Sequence, residues 1–226
     1  MPSTIIDLDN VRKVYQMGDT ELEALSGSNV EIKEGEFVAV MGPSGSGKST
    51  LMNMIGALDT PTSGEVNIGD EAISQLNEDD LALLRSKKIG FIFQQFNLIP
   101  SMNATENVAL PMLFRGVGKK ERTERAENIL EKVGLKDRMG HMPSELSGGQ
   151  RQRVSIARAL ANDPDIILAD EPTGNLDTET GENIMDLLTE LNDEGKTIIM
   201  VTHDENDAEY ADRIIKIVDG KTGVEQ

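Results

Sequence analysis

Cysteine is absent from this chain, so neither a disulfide framework nor a thiolate-held metal belongs to its chemistry. Aromatic residues make up only 3%, which leaves Leu, Ile, Val and Met to build the core. The 11 methionines suit gap-filling in such a core. Long apolar runs are missing too. The longest, such as Ile166-Ile167-Leu168-Ala169, are strand-sized and far short of the roughly 20 residues that cross a bilayer. Met1-Pro2-Ser3-Thr4 carries neither the basic nor the apolar region of a secretory signal. A soluble intracellular protein is expected. Positive charge is scarce: 22 Lys and Arg stand against 40 Asp and Glu, a net charge of −18. That balance opposes binding to DNA, RNA or anionic lipid, so no nucleic-acid partner is expected. It fits either a salty cytoplasm or an acidic protein with solvated faces. The 226 residues suit one domain or a core with an inserted lobe. Any affinity for phosphate must then come from local geometry.

Such geometry is written in residues 42–50, Gly-Pro-Ser-Gly-Ser-Gly-Lys-Ser-Thr. They match the phosphate-cradling pattern Gly-x-x-x-x-Gly-Lys-Ser, which arises by chance in roughly one chain in a hundred of this length. Context narrows the match further, because residues 37–41 read as a buried strand and residues 51–58 as a helix. Gly42, Gly45 and Gly47 let the backbone bend tightly and bring N–H groups to phosphate oxygens where a side chain would collide. The helix starting near Lys48 aims its positive end at the same oxygens. Lys48 places a charge between the terminal phosphates, and the Ser49 hydroxyl suits Mg²⁺. Ser44 and Thr50 belong to the same phosphate-binding stretch. The motif implies a nucleoside triphosphate site.

Short β-like runs at residues 5–8, 30–32 and 37–41 are punctuated by Gly18-Asp19 and Glu34-Gly35. Further strands are expected at 65–68 and 89–93. Residues 103–145 change character: 121–133 is charged with apolar residues at helical spacing, and Pro143-Ser144 ends the stretch. From Ser147 an α/β rhythm resumes, with a helix to about 162, a strand at 166–169 and a helix at 180–192. A strand at 197–201, a helix at 205–210 and a strand at 214–218 follow. This alternation implies parallel crossover units. The expected fold class is α/β, a single domain over 1–226. Its mainly parallel core comprises 1–102 and 146–226, with an N-terminal antiparallel β part and an inserted helical subdomain at about 103–145.

Two further segments carry chemistry. Ile166 to Glu171 is an apolar strand ending in two carboxylates, Asp170 and Glu171. Placed beside the phosphate-loop strand, it would bring both acids to the carboxyl edge of the sheet, where α/β proteins bind ligands. Asp170 would orient Mg²⁺ through water, and Glu171 would take a proton from an attacking water. An acidic strand-end turn is the plain alternative for the pair read alone. Leu146-Ser147-Gly148-Gly149-Gln150 opens a helix with Ser147 as a suitable N-cap. It also offers unobstructed N–H groups at a positive helix end, a second anion site. One triphosphate cannot readily use both sites from one compact subunit, so a second subunit is expected to supply this edge in trans.

Leu146 to Gln150 resembles the signature sequence of ATP-binding-cassette (ABC) ATPases, a pentapeptide that occurs by chance in only roughly a few chains per ten thousand. The resemblance runs along nearly the whole chain. Tyr15 resembles the aromatic that stacks on adenine. Gln94, after Ile92-Phe93, resembles the glutamine that touches Mg²⁺ and senses the membrane partner. Asp177, in Gly174-Asn175-Leu176-Asp177, resembles the loop that crosses the dimer interface. His203, after Val201-Thr202, is similar to the histidine that holds the terminal phosphate. Read singly, Tyr15 is a surface aromatic, Gln94 a strand-end cap and His203 a loop histidine; the collinear set carries the resemblance. Residues 91–100 and 170–177 are similar to the lipoprotein-release, macrolide-export and cell-division branch. Arg151 stands where many relatives carry Gln.

The resemblance implies an ATPase on the cytoplasmic face of the cell membrane, working as an ATP-dependent head-to-tail homodimer with separate transmembrane permease subunits. Two ATP molecules would each lie between Lys48 of one subunit and Ser147 and Gly149 of the other. Mg²⁺ would rest on Ser49, Gln94 and, through water, Asp170. Glu171 would activate the water while His203 steadies the γ-phosphate. The alternatives are a non-transport, mechanical signalling ATPase of the cell-division type and, last, a soluble ABC protein. His141 and Tyr210 lack such support and are read as structural.

Overall fold

A computed structural model describes residues 2–18 and 20–225. In chain order its elements begin with strands β1 (Thr4–Met17), β2 (Thr20–Lys33) and β3 (Phe37–Met41), helix α1 (Lys48–Ile55), strands β4 (Ser63–Ile68) and β5 (Glu71–Ala72) and helix α2 (Glu78–Lys88). Strand β6 (Ile89–Phe93) follows, then helices α3 (Ala104–Phe114), α4 (Lys119–Lys132) and α5 (Gly148–Ala159). The chain ends with strand β7 (Ile166–Asp170), helix α6 (Thr178–Asp193), strand β8 (Thr197–Val201), helix α7 (Glu205–Ala208) and strands β9 (Arg213–Val218) and β10 (Lys221–Glu225). These form two compact units, Met1–Arg85 with Asn192–Gln226, and Ser86–Leu191. No helix among the described residues is long and apolar enough to cross a membrane.

The first unit holds an antiparallel sheet in the order β2-β1-β4-β5 and a mainly parallel ladder. In the ladder β3 runs parallel to both β8 and β9, and β10 closes the edge antiparallel to β9. Phe37, Val38, Ala39 and Val40 are all buried, as are the five residues of β8, the continuous apolar reading of strands covered on both faces. β1 and β2 are far longer than the runs at 5–8 and 30–32 lead one to expect. Their pairing shifts register at four places, and each shift breaks the two-residue alternation by which a half-buried strand is read. Gly18, at φ +62, opens the expected turn; Asp19 lies outside the described residues. Gly64 is required by close approach, since a Cβ there would lie 2.3 Å from the Asn10 carbonyl oxygen.

In the second unit β6 and β7 pair in parallel, with Phe93 opposite Asp170. This corrects the expectation that the carboxylate strand lies beside the phosphate-loop strand. Both edges of β3 are taken, by β8 and β9, and β7 takes β6 as a neighbour. Buried parallel strands read alike, so their apolar runs do not state their order. Helices α3 and α4 fall inside the 103–145 stretch. Asn107 of α3 is fully buried yet satisfied: its amide donates to the carbonyls of Ile99, Met102 and Asn103, and its Oδ1 accepts from the Ile99 N–H. That knot ties the loop after β6 to α3. Helix α2 had no counterpart in the sequence reading. Its signals are the Asn77 side chain capping the Asp80 N–H at 3.0 Å and three acids in the first turn, both favourable at a helix start.

Candidate active site

The phosphate loop links β3 to α1 in the first unit. Gly45 and Gly47 take φ of +79 and +107, the left-handed region that glycine alone enters without cost. Gly42 and Gly47 are needed for space as well. A Cβ on Gly42 would lie 2.1 Å from the Ile217 carbonyl oxygen, and one on Gly47 would lie 2.5 Å from that of Ala24. No side chain caps α1 at Gly47, which suits an anion in that place. Lys48 Nζ folds back to donate to the carbonyls of Gly42 (2.7 Å) and Pro43 (3.0 Å), neutral acceptors that phosphate oxygens outbid. Ser46 Oγ is buried without a hydrogen-bond partner among the described residues, and an incoming anion would satisfy it. Ser44 and Ser49 are exposed and Thr50 half-buried. The loop therefore fits a polyphosphate.

His203 leaves the same edge. Val40 pairs with Val201, so Gly42 and His203 each stand two residues beyond a paired position. Buried Thr202 fixes the exit: its N–H donates to the Val40 carbonyl at 3.2 Å, and its hydroxyl accepts from the Asp204 N–H at 3.0 Å. Tyr15, half-buried on β1, donates its hydroxyl to Asp59 Oδ2 at 3.1 Å. Lys13 lies 5.1 Å from the Tyr15 ring centroid and bonds Asp59 Oδ1 at 2.6 Å and the Thr60 carbonyl at 2.8 Å. Burial pushes the Asp59 carboxyl up, but hydrogen bonds from Lys13, Thr60 and Tyr15 and the Lys13 charge outweigh it and hold it below its ordinary value. Lys13 and Asp59 were missed in the sequence, and 46 residues of separation leave no signal for such a pair.

The second unit holds Gln94, Asp170, Glu171, Ser147, Gly149 and Asp177. Gln94 and Glu171 each follow the paired positions Phe93 and Asp170, so they leave adjacent strands at one edge. Glu171 has φ +47, a left-handed backbone that costs a non-glycine residue of order 1–3 kcal/mol and marks functional turns. Its carbonyl accepts from the Gly174 N–H at 3.1 Å. A Cβ on Gly174 would stand 2.7 Å from Gln94 Nε2, and the Asn175 amide donates to the Gln94 carbonyl at 2.8 Å. Phe96 and Asn97 are also left-handed, at φ +59 and +50. The Arg158 guanidinium donates to both of their carbonyls, and burial lowers its pKa. Arg151, the departure from the family pattern, lies 5.3 Å from the Phe96 ring centroid and donates to the Leu146 carbonyl at 2.7 Å. Arg158 too was missed. Its signal was a lone guanidinium inside the apolar run Val154-Ser155-Ile156-Ala157-Arg158-Ala159-Leu160.

Ser147 caps α5 as expected: its Oγ accepts from the Gln150 N–H at 3.2 Å, and Gln150 Oε1 accepts from the Ser147 N–H at 3.0 Å. Gly149 has a local reason to be glycine, since a Cβ would lie 2.4 Å from the Thr180 methyl. Asp177 opens α6, accepting from the Thr180 hydroxyl at 2.7 Å and its N–H at 3.0 Å. The Thr180 hydroxyl chiefly holds the Asp177 carboxyl below its ordinary value. Among the described residues no group of three or more His, Cys, Asp or Glu could hold a metal. Ser49 of the first unit offers a hydroxyl, and Gln94 and Asp170 of the second offer an amide and a carboxylate, oxygen donors of the type that suits Mg²⁺.

With this geometry in place, the family model described as ABC transporter matches residues 25–174. The chain belongs to the ABC transporter family. The ABC transporter ATP-binding protein YknY of Bacillus subtilis is 57% identical over 216 residues, covering 96% of this chain and 94% of that one. The macrolide export ATP-binding/permease protein MacB of Bdellovibrio bacteriovorus is 50% identical over 216 residues; the match spans 96% of this chain but 33% of MacB. Among solved structures, the ATP-binding cassette MJ0796, in a dimeric post-hydrolysis state bound to ADP and Pi, superposes with a TM-score of 0.89 at 52% identity over 98% of each chain. MJ0796 is an ABC transporter ATP-binding protein of Methanocaldococcus jannaschii. The chain is thus an ABC ATPase with the mixed α/β fold of these cassettes.

Proposed function

We propose that this ABC ATPase drives separate membrane-spanning subunits from the cytoplasmic face and that two copies pair head to tail around two ATP molecules. The observation that carries the reading is that one chain has two glycine-rich helix starts, each a positive helix end that suits an anion. One follows the glycine cradle at Lys48, and the other is the exposed, Ser147-capped start of α5. A two-fold pairing lets one surface serve both copies, each giving its Ser147 and Gly149 to the other's nucleotide. The dimeric state of MJ0796 with ADP and Pi supports the pairing, and the likeness to MacB supports an export-type, macrolide-export or lipoprotein-release-like role.

In this reading Lys48 leaves the Gly42 and Pro43 carbonyls for the terminal phosphates, and Tyr15 stacks on the base through the face opposite Lys13. Ser49, Gln94 and, through water, Asp170 would hold Mg²⁺, which would supply charge neutralisation at the phosphates. Glu171 takes the proton of the water that attacks the γ-phosphorus as the bond to the ADP oxygen breaks. His203 donates to the γ-phosphate as charge shifts. Asp177 then belongs to the loop along the seam between copies. Turnover per molecule, followed as the protein is diluted, tests the pairing. The expected result is a rate that falls with dilution; a constant rate per molecule would sink it.

A further inference from the structure

Gln152 stands one turn into α5, fully buried, and its Nε2 donates to the Pro172 carbonyl at 2.6 Å. Its Oε1 is buried with no hydrogen-bond partner among the described residues. A buried amide with one unmet acceptor is a poor choice for stability alone, because an apolar side chain of the same length would carry no such desolvation cost. The carbonyl it holds belongs to the residue directly after Glu171. That glutamate is left-handed at φ +47, and it precedes a proline, which biases a residue toward extended backbone. A turn that unfavourable keeps its shape only when its surroundings over-determine it. The Gly174 N–H holds one side of the turn, at the Glu171 carbonyl, and Gln152 holds the next carbonyl.

We propose that Gln152 is a positioning residue for Glu171: its amide pins the Pro172 carbonyl and so fixes the left-handed turn that aims the carboxylate at the attacking water. The inference rests on Glu171 being the general base. A lost pin moves the base without touching nucleotide contacts, so kcat suffers and KM does not. Gln152→Met removes the donor and the orphaned oxygen while keeping length and burial. Its expected kcat is about tenfold lower, from a displacement of a fraction of an ångström. Its KM for ATP stays within about twofold, and its Tm moves by less than about 5 °C.

Gln152→Glu supplies a second readout. A buried carboxyl has a raised pKa, and its protonated form can donate to Pro172 as the amide does. Its turnover relative to the parent therefore rises as the pH falls from 8 to 6, as roughly expected of a carboxyl with a pKa lifted toward neutrality. Glu171→Gln is measured alongside. Full turnover in Glu171→Gln would overturn the general-base reading and this inference with it. A dead Glu171→Gln beside a Gln152→Met with unchanged kcat would overturn this inference alone. So would a Gln152→Met whose kcat and KM worsen together with a large fall in Tm, or a Gln152→Glu with no pH-dependent recovery.

Discussion

The two units hold their candidate functional residues in opposite ways. In the first, the backbone carries the geometry: left-handed glycines, parallel strand ends in register and a lysine resting on its own loop. In the second, side chains reach across the unit to hold loops in conformations their residues do not favour. Arg158 grips the carbonyls of Phe96 and Asn97, Asn175 holds Gln94, and Gln152 holds the carbonyl after Glu171. A backbone cradle meets the phosphates with fixed N–H groups and needs little beyond the release of Lys48 from its own loop. A loop held by replaceable side-chain bonds can be re-aimed, which suits the proposed coupling of turnover to movement elsewhere.

Substitutions can break or sharpen that contrast. The largest effect is expected from Glu171→Gln, which should keep ATP binding while turnover falls by about 10²–10⁴, the usual worth of a positioned base; equilibrium binding and phosphate release check the two halves. Gly47→Ala attacks the cradle, forcing a methyl toward the Ala24 carbonyl at a left-handed φ. Nucleotide affinity should be lost, with a stability loss of about 1–3 kcal/mol in urea melts. Unchanged affinity would mean that backbone shape does not govern this unit.

Arg158→Met leaves two left-handed carbonyls without their donors. Turnover should fall about tenfold through displacement of the Gln94 loop, with a stability loss of about 1–3 kcal/mol, and nucleotide affinity should be kept. Gly174→Ala pushes only the flexible end of Gln94. A few-fold loss of Mg²⁺-dependent turnover is expected, with stability within about 0.5 kcal/mol of the parent. The smallest effect belongs to Asp59→Asn. The lowered Asp59 pKa means that the carboxylate stabilises the fold above its unfolded value near 3.8 and that this contribution fades as the pH falls through the lower folded value. The variant should melt slightly earlier at pH 7 and approach the parent as acid protonates the carboxylate, a difference under about 1 kcal/mol because the pair is partly exposed. A melting difference independent of pH would remove Asp59 from the Tyr15 support.

Legibility in the sequence follows the same division. The phosphate loop was readable because glycine spacing states backbone shape directly, and Ser147 was readable because a capping pattern is local. The buried five-residue strands announced themselves as apolar runs, but their order did not, so β7 was expected beside β3. The bulged hairpin of β1 and β2 was mostly invisible, since each register shift erases the alternation that marks a strand. Lys13, Asp59, Gln152, Arg158 and Asn175 were missed for one reason: each acts on a residue distant in the chain, and only folding brings them together. Arg151, where many relatives carry Gln, sets its guanidinium over the Phe96 ring, a contact that no local pattern states.

In the proposed function, nucleotide is clasped between two copies of this chain, each completing the other's reaction site. Sedimentation of Glu171→Gln, expected to hold ATP uncleaved, tests this most directly. A monomer without nucleotide that becomes a dimer on adding ATP and Mg²⁺ is the predicted result, and a species that stays monomeric with ATP bound would contradict the account.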